Sequence, residues 1–181
     1  MKNLTKLFLG LLLGGIIFTG CKEASELVDV KFSADYETEL NVTVVPSTGA
    51  RAVNGVFSVT ETIDPSSDSD FAKYFDRIKG VDIEEVSGLI LSVEPNITLS
   101  STFISIYNDA DTATWEYDSL PIIVGTVLTL DNDNGQLDAI ELILLEKKPF
   151  TVAINGQADE DNAEFDVKLT INSTVLANPL D

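Results

Sequence analysis

Glu164-Phe165-Asp166-Val167-Lys168-Leu169-Thr170-Ile171-Asn172-Ser173-Thr174-Val175-Leu176-Ala177 reads as one long β-strand. Phe165, Val167, Leu169, Ile171, Val175 and Ala177 face one way, while Glu164, Asp166, Lys168, Thr170, Asn172 and Thr174 face the other. This period-2 alternation marks a strand with one buried face. A strand of this length is expected to run along a whole sheet and to be bent or paired on both sides.

Working outward, the same alternation dominates from Leu27 onward. Leu40, Val42 and Val44 form one inward row, and Val53, Gly55, Phe57 and Val59 another, with a turn at Pro46-Ser47-Thr48-Gly49 between them. Val81, Ile83, Leu89, Leu91 and Val93 are expected to share a face. From Ile97/Leu99 to Ile104/Ile106 the phase switches, which predicts a β-bulge near Ser101. Trp115 and Tyr117 lie on one face of a short strand. Residues 121–130 read as a further strand, with Ile122, Val124, Leu128 and Leu130 in phase. Phe150, Val152, Ile154 and Gly156 open a closing pair that turns at Asp159-Glu160-Asp161-Asn162.

Two segments break the alternation. Phe71, Tyr74, Phe75 and Ile78 recur at i, i+3, i+4 and i+7, which predicts a helix near 68–79 ended by Gly80. A second helix is predicted near 136–147, with Leu137, Ile140, Ile143, Leu144 and Leu145 apolar and Pro149 beyond it. The expected fold is mainly β. It is an antiparallel β-sandwich or partly open barrel of about eight or nine strands, with two short helices covering a sheet edge or an open end of the core.

The N-terminus follows another logic. Lys2 and Lys6 precede an almost purely apolar stretch over residues 7–18, too short for a membrane span with ordinary flanks, as in a secretory signal. Phe18-Thr19-Gly20-Cys21 closes it and resembles the lipobox of bacterial lipoproteins, with Phe18 where Leu is more usual. The resemblance implies cleavage after residue 20 and acylation of Cys21, hence a signal peptide over 1–20, a lipidated cysteine and polar tether over 21–26, and one β-rich domain over 27–181. Lys22-Glu23 resembles the charged export signals of Bacteroidota surface lipoproteins. The implied location is the outer membrane, the cell surface being favoured slightly over the periplasmic face.

Composition narrows the function classes. The chain has 181 residues and a formal charge of −19; residues 1–20 contain two lysines and no acid, so removing them leaves −21. Such a surface repels nucleic acid and anionic lipid headgroups alike, so nucleic acid is not an expected partner. Membrane attachment falls to the acyl chains, and two or more of them hold stably. Cys21 is the one cysteine, so no intramolecular disulfide forms. The sequence has no histidine, which removes the usual general base and the usual zinc ligand. No enzyme is expected.

Three local patterns are candidate sites. The first is Asp131-Asn132-Asp133-Asn134-Gly135-Gln136-Leu137-Asp138, whose oxygens suit a hard cation; Asp131, Asp133, Asp138 and Glu141 are the candidate calcium ligands. The EF-hand register fails, because Leu130 falls where the first carboxylate is needed, although Glu141 falls at the twelfth position. The preferred reading is an Asn-Gly turn leading into a helix capped by Asp133 or Asn134, with no cofactor. The second pattern joins Trp115 and Tyr117 to Asp109 and Asp111 as a small sugar platform, the alternative being plain edge packing. The third is a pair of triplets, Asp111-Thr112-Ala113 and Asp118-Ser119-Leu120, resembling Bacteroidota O-glycosylation acceptors at Thr112 and Ser119.

The expectation is an envelope-anchored lipoprotein that acts as a non-catalytic binding or accessory module for a protein or glycan partner. The alternative is a carrier holding a small apolar or sugar ligand under the two helices. A hydrolase built on paired carboxylates comes third.

Overall fold

The computed structural model describes residues 29–48 and 55–180. Cys21, the polar tether and Val53 lie outside these residues. Ten strands are described: β1 (Val30–Thr43), β2 (Val45–Pro46), β3 (Gly55–Ile63), β4 (Ile78–Glu94), β5 (Thr98–Tyr107), β6 (Thr112–Tyr117), β7 (Leu120–Pro121), β8 (Val127–Thr129), β9 (Phe150–Ala158) and β10 (Glu164–Ala177). The two α-helices are α1 (Ser69–Lys73) and α2 (Gln136–Leu145).

The strands form two antiparallel sheets, one in the order β1-β10-β4-β8 and the other in the order β2-β3-β9-β5-β6, with β7 pairing β5. The edge-to-face contact of Phe57 with Phe165, 5.5 Å between centroids, joins the inner faces of the two sheets. Setting the two-residue strands aside, the pairing is nested. First pairs with last (β1–β10), second with second-last (β3–β9), third with third-last (β4–β8), and the middle two pair with each other (β5–β6). An antiparallel ribbon wrapped in this way is a jelly roll, so the sandwich rather than the open barrel is the architecture.

β10 lies between β1 and β4 along its whole length, as its alternation requires. Phe165, Val167, Leu169, Ile171, Val175 and Ala177 are buried together with Ser173, whose hydroxyl donates to the Ala34 carbonyl. The bulge predicted near Ser101 is present: the β5–β9 register passes from Leu99↔Ala158 to Ser101↔Gln157, leaving Ser100 out. The burial of Leu99 thereby hands over to Thr102, Ile104 and Ile106.

β4 departs from its expected row because it is bulged three times against β10, first at Lys79 ahead of that row and then twice within it. The register skips Glu84 and then Leu91, so the buried face runs Val81, Ile83, then Val86, Gly88, Ile90. Leu89 and Leu91 consequently do not face the core, and Leu91 is exposed. Each extra residue inverts the side-chain parity, which a single alternating row cannot represent.

The expected pairing of β9 with β10 is also replaced. β9 belongs to the larger sheet and β10 to the smaller, so the Asp159–Asn162 turn crosses between sheets. Reciprocal bonds fasten its start to β5: Asp159 N donates to the Thr98 carbonyl (2.9 Å), and Thr98 N donates to Asp159 Oδ1 (2.8 Å). Residues 121–130 are not one strand. β7 ends at Pro121, Gly125 turns the chain at φ 84°, and β8 begins at Val127, leaving Val124 exposed.

The helix expected over 68–79 is shorter and divided. A 3₁₀ turn at Pro65–Ser67 leads into α1, and a second at Phe75–Arg77 leads directly into β4. Asp68 caps α1 by accepting from Asp70 N and Phe71 N. Tyr74, at φ −105° and ψ 13°, interrupts the helix, and Gly80 lies within β4 instead of ending it. The apolar stripe still does its expected work. Phe71 is fully buried with its ring edge-on to Tyr36, which meets Phe150 in the same way, so aromatic rings fill this part of the core. α2 buries Ile140, Ile143 and Leu144 against β4 and β6.

Candidate functional site

The fold joins halves of two sequence patterns that were expected to act separately. Trp115 and Tyr117 follow the inward parity of β6, beside the loop that carries Asp131 and Asp133 into α2. The Trp115 indole N–H donates to the Asp131 carbonyl (2.7 Å), and the Tyr117 hydroxyl donates to the Thr129 carbonyl (3.3 Å). Between strand and loop runs an open groove of about 390 Å³, lined among others by Thr114, Glu116, Asp133, Asn134 and Gln136.

Local hydrogen bonding explains the loop. Gly135 occupies the N-cap of α2 in the left-handed region (φ 79°) and provides no side-chain cap, so neither Asp133 nor Asn134 plays the expected capping role. Asn132 takes it over from further upstream, accepting from Leu137 N (2.9 Å). Gln136 reaches back to accept from Asn134 N (2.7 Å) and extends its amide toward the Thr114 carbonyl (3.4 Å). These bonds hold the loop against β6 and keep the groove's lining together.

The four candidate calcium ligands are not brought together. Asp131 and Asp133 line the groove, Asp138 faces Asn132 Nδ2 at 3.5 Å, and Glu141 turns to β4, where its Oε1 accepts from Ile83 N (3.4 Å). Among the described residues no group of three or more acidic or sulfur and imidazole side chains is placed to hold a metal ion. The aromatic platform is divided too. Asp109 and Asp111 occupy the β5–β6 turn, where Asn108 Oδ1 accepts from Ala110 N and Asp111 N. That turn borders a smaller recess of about 140 Å³ shared with Glu146 and Lys148.

Thr112 and Ser119 are both exposed, at the start of β6 and in the turn before β7, where Ser119 has φ 60°. Burial pushes the Tyr117 phenol above its ordinary value, and the Asp131 carboxylate adds to the effect. The aromatic pair was legible as a site feature. Thr114, Glu116 and Thr129 were not, because the contact of β6 with the acidic loop spans about 16 residues and leaves no local pattern.

No family model and no curated protein matches the chain. Among solved structures it is similar to a decameric BFDV capsid protein, at 6% identity and a TM-score of 0.39, covering 81% of this chain and 99% of that one. It is also similar to a Desmodium yellow mottle tymovirus structure, at 9% identity and a TM-score of 0.34, covering 84% of this chain and 91% of that one.

Proposed function

We propose that the chain is an envelope-anchored lipoprotein, held by acyl chains on Cys21, whose jelly-roll domain is a non-catalytic binding or accessory module. The observation that favours this over a carrier is the filling of the sandwich interior. The helices that would roof a ligand cavity contribute their own side chains to the core: Phe71 of α1 and Ile140, Ile143 and Leu144 of α2 are each 0% exposed. A ligand would have to displace them, at about 3–5 kcal/mol for a buried phenylalanine alone. Binding therefore belongs to the surface, where the groove beside Trp115 and Tyr117 presents hydroxyl, amide and carboxylate groups to a polar partner. The complete lack of histidine supports the non-catalytic reading.

Fractionation and protease treatment of intact cells test this. The wild-type chain is expected in the outer-membrane fraction and accessible to protease on intact cells, whereas Cys21→Ala leaves the membrane fraction. Equal membrane retention of Cys21→Ala overturns the anchor. Protection until the outer membrane is opened moves the domain to the periplasmic face.

A further inference from the structure

We propose that Asn134 is a site of spontaneous covalent modification, where the fold lets an Asn-Gly pair cyclise while it holds a second such pair inert. Asn134-Gly135-Gln136 and Asn155-Gly156-Gln157 are the same tripeptide, so their intrinsic chemistry is the same and placement alone separates them. The first lies in the turn that leads into α2, the second within β9. Asn54, which precedes Gly55, is outside the described residues.

Glycine after asparagine matters because no Cβ screens its backbone nitrogen from the asparagine side chain. Once that nitrogen gives its proton to solvent base, it attacks Asn134 Cγ. The N–Cγ bond forms, the Cγ–Nδ2 bond breaks, and Nδ2 takes up a proton and leaves as ammonia. Water then opens the resulting succinimide ring. Addition at Cγ gives aspartate. Addition at the main-chain carbonyl carbon gives isoaspartate, whose backbone runs through the former side chain. Nothing is oxidised or reduced, and water is the co-reactant.

The path is open at Asn134. The residue is exposed, and its side-chain amide has no hydrogen-bond partner among the described residues. Its N–H donates to Gln136 Oε1 (2.7 Å), a side chain that can move with the turn. Around Gly135, at φ 79°, the nearest atom to the place of a Cβ is Asp138 Oδ2 at 3.6 Å. At Asn155 the path is closed. β9 lies between β3 and β5, with Asn155 opposite Ser58 on one side and Phe103 on the other. Gly156 stands between Phe57 and Thr102 in the same way, and the Ser101 carbonyl packs against it. Turning the Gly156 nitrogen toward the Asn155 side chain requires opening the sheet on both edges of β9, whereas at Asn134 one surface turn has to rearrange.

The consequence falls on the groove beside Tyr117, and this step rests on the groove being a binding surface. Asn134 lines it together with Glu116, Asp131 and Asp133, and none of the described residues lining it is basic. Aspartate at this position adds a further carboxylate. Isoaspartate also lengthens the main chain beside the two Gln136 bonds that hold the loop to β6. A polar partner of the fresh groove therefore meets a more acidic and looser one in the aged protein.

The test is ageing of the purified full chain at mildly alkaline pH, folded or in guanidinium chloride, followed by peptide mapping by mass spectrometry. Exchange of an amide for a carboxyl adds about 1 Da. In the folded protein this gain is expected at Asn134 at least about tenfold faster than at Asn155, with part of the product isoaspartate. In denaturant the two sites should react alike. Asn134→Gln, whose longer side chain disfavours the ring, should abolish the gain in this turn. No gain at Asn134 in the folded protein, equal rates at the two sites when folded, or a difference that persists in denaturant overturns the inference. A gain that survives Asn134→Gln belongs to Asn132 and overturns it as well. Cys21→Ala should age as the wild type does, so failure of the anchor leaves this result standing.

Discussion

At Gly156 a hydrogen atom is the largest side chain that fits. The β5 bulge at Ser100 brings the Ser101 carbonyl against this residue, so that a Cβ on Gly156 would overlap the carbonyl oxygen and touch the Phe57 ring at 3.0 Å. Backbone cannot move aside as a side-chain tip can. Gly156→Ala is expected to cost about 1–3 kcal/mol, read as a lower denaturation midpoint. Gly80→Ala, whose nearest neighbour would be Leu176 Cβ at 3.9 Å, should be close to neutral. Thr102 pairs with Gly156 across the same bulge, and its hydroxyl is fully buried with no hydrogen-bond partner among the described residues. Thr102→Val replaces an unsatisfied polar atom by a methyl group of similar size, and should stabilise by about 1 kcal/mol. A loss of stability in that variant would mean that the hydroxyl is satisfied.

Elements were legible in the sequence where one residue sufficed to set the phase. β10 was readable throughout because it is regular on its core face, and the β5 bulge because apolar residues flank the parity change on both sides. β4 was not, because two bulges restore the original parity at Val93, and the intervening row Val86, Gly88, Ile90 contains a glycine where an apolar side chain would have announced it. Sheet membership of β9 was equally hidden: alternation says which face is buried, never which strand lies alongside. The site shows the same division. Trp115 and Tyr117 stood out by residue type, but their neighbours come from α2 and its leading loop. That loop depends on Asn132, which accepts from Leu137 N in place of a cap at Gly135. Asn132→Ala is expected to destabilise the domain by about 1 kcal/mol and to speed amide exchange over residues 131–138. Asp133→Ala, which makes no capping bond, should leave both unchanged. Equal effects in the two variants would remove Asn132 from its role.

Across the whole molecule the dominant electrostatic fact is net charge, −19 for the chain with no histidine to titrate near neutrality. Self-repulsion of this size is screened by salt, so the denaturation midpoint at pH 7 should rise as salt is added. The alkaline side has a more local cause. Burial raises the Tyr36 phenol well above its ordinary value of 10.0, and the carboxylates of Asp68, Asp35 and Asp64 add to it. The folded chain therefore retains a proton that the unfolded chain releases near pH 10. Stability from this group is complete below pH 10 and is lost as the pH climbs toward the folded value. Tyr117, raised for the same first reason, acts in the same direction. Asp64 works oppositely at the acid end: the Ser66 hydroxyl and then the Ser66 N–H hold its carboxyl below the usual range. Its contribution is present above the unfolded value and disappears as the pH falls through the folded one. Denaturant midpoints between pH 8 and pH 11 separate these terms from general charge repulsion. Wild type should fall steeply above about pH 10, whereas Tyr36→Phe, after losing its 3.4 Å bond to the Pro65 carbonyl, should start lower and fall less. Parallel curves for the two proteins would assign the alkaline loss to net charge and relieve Tyr36 of it.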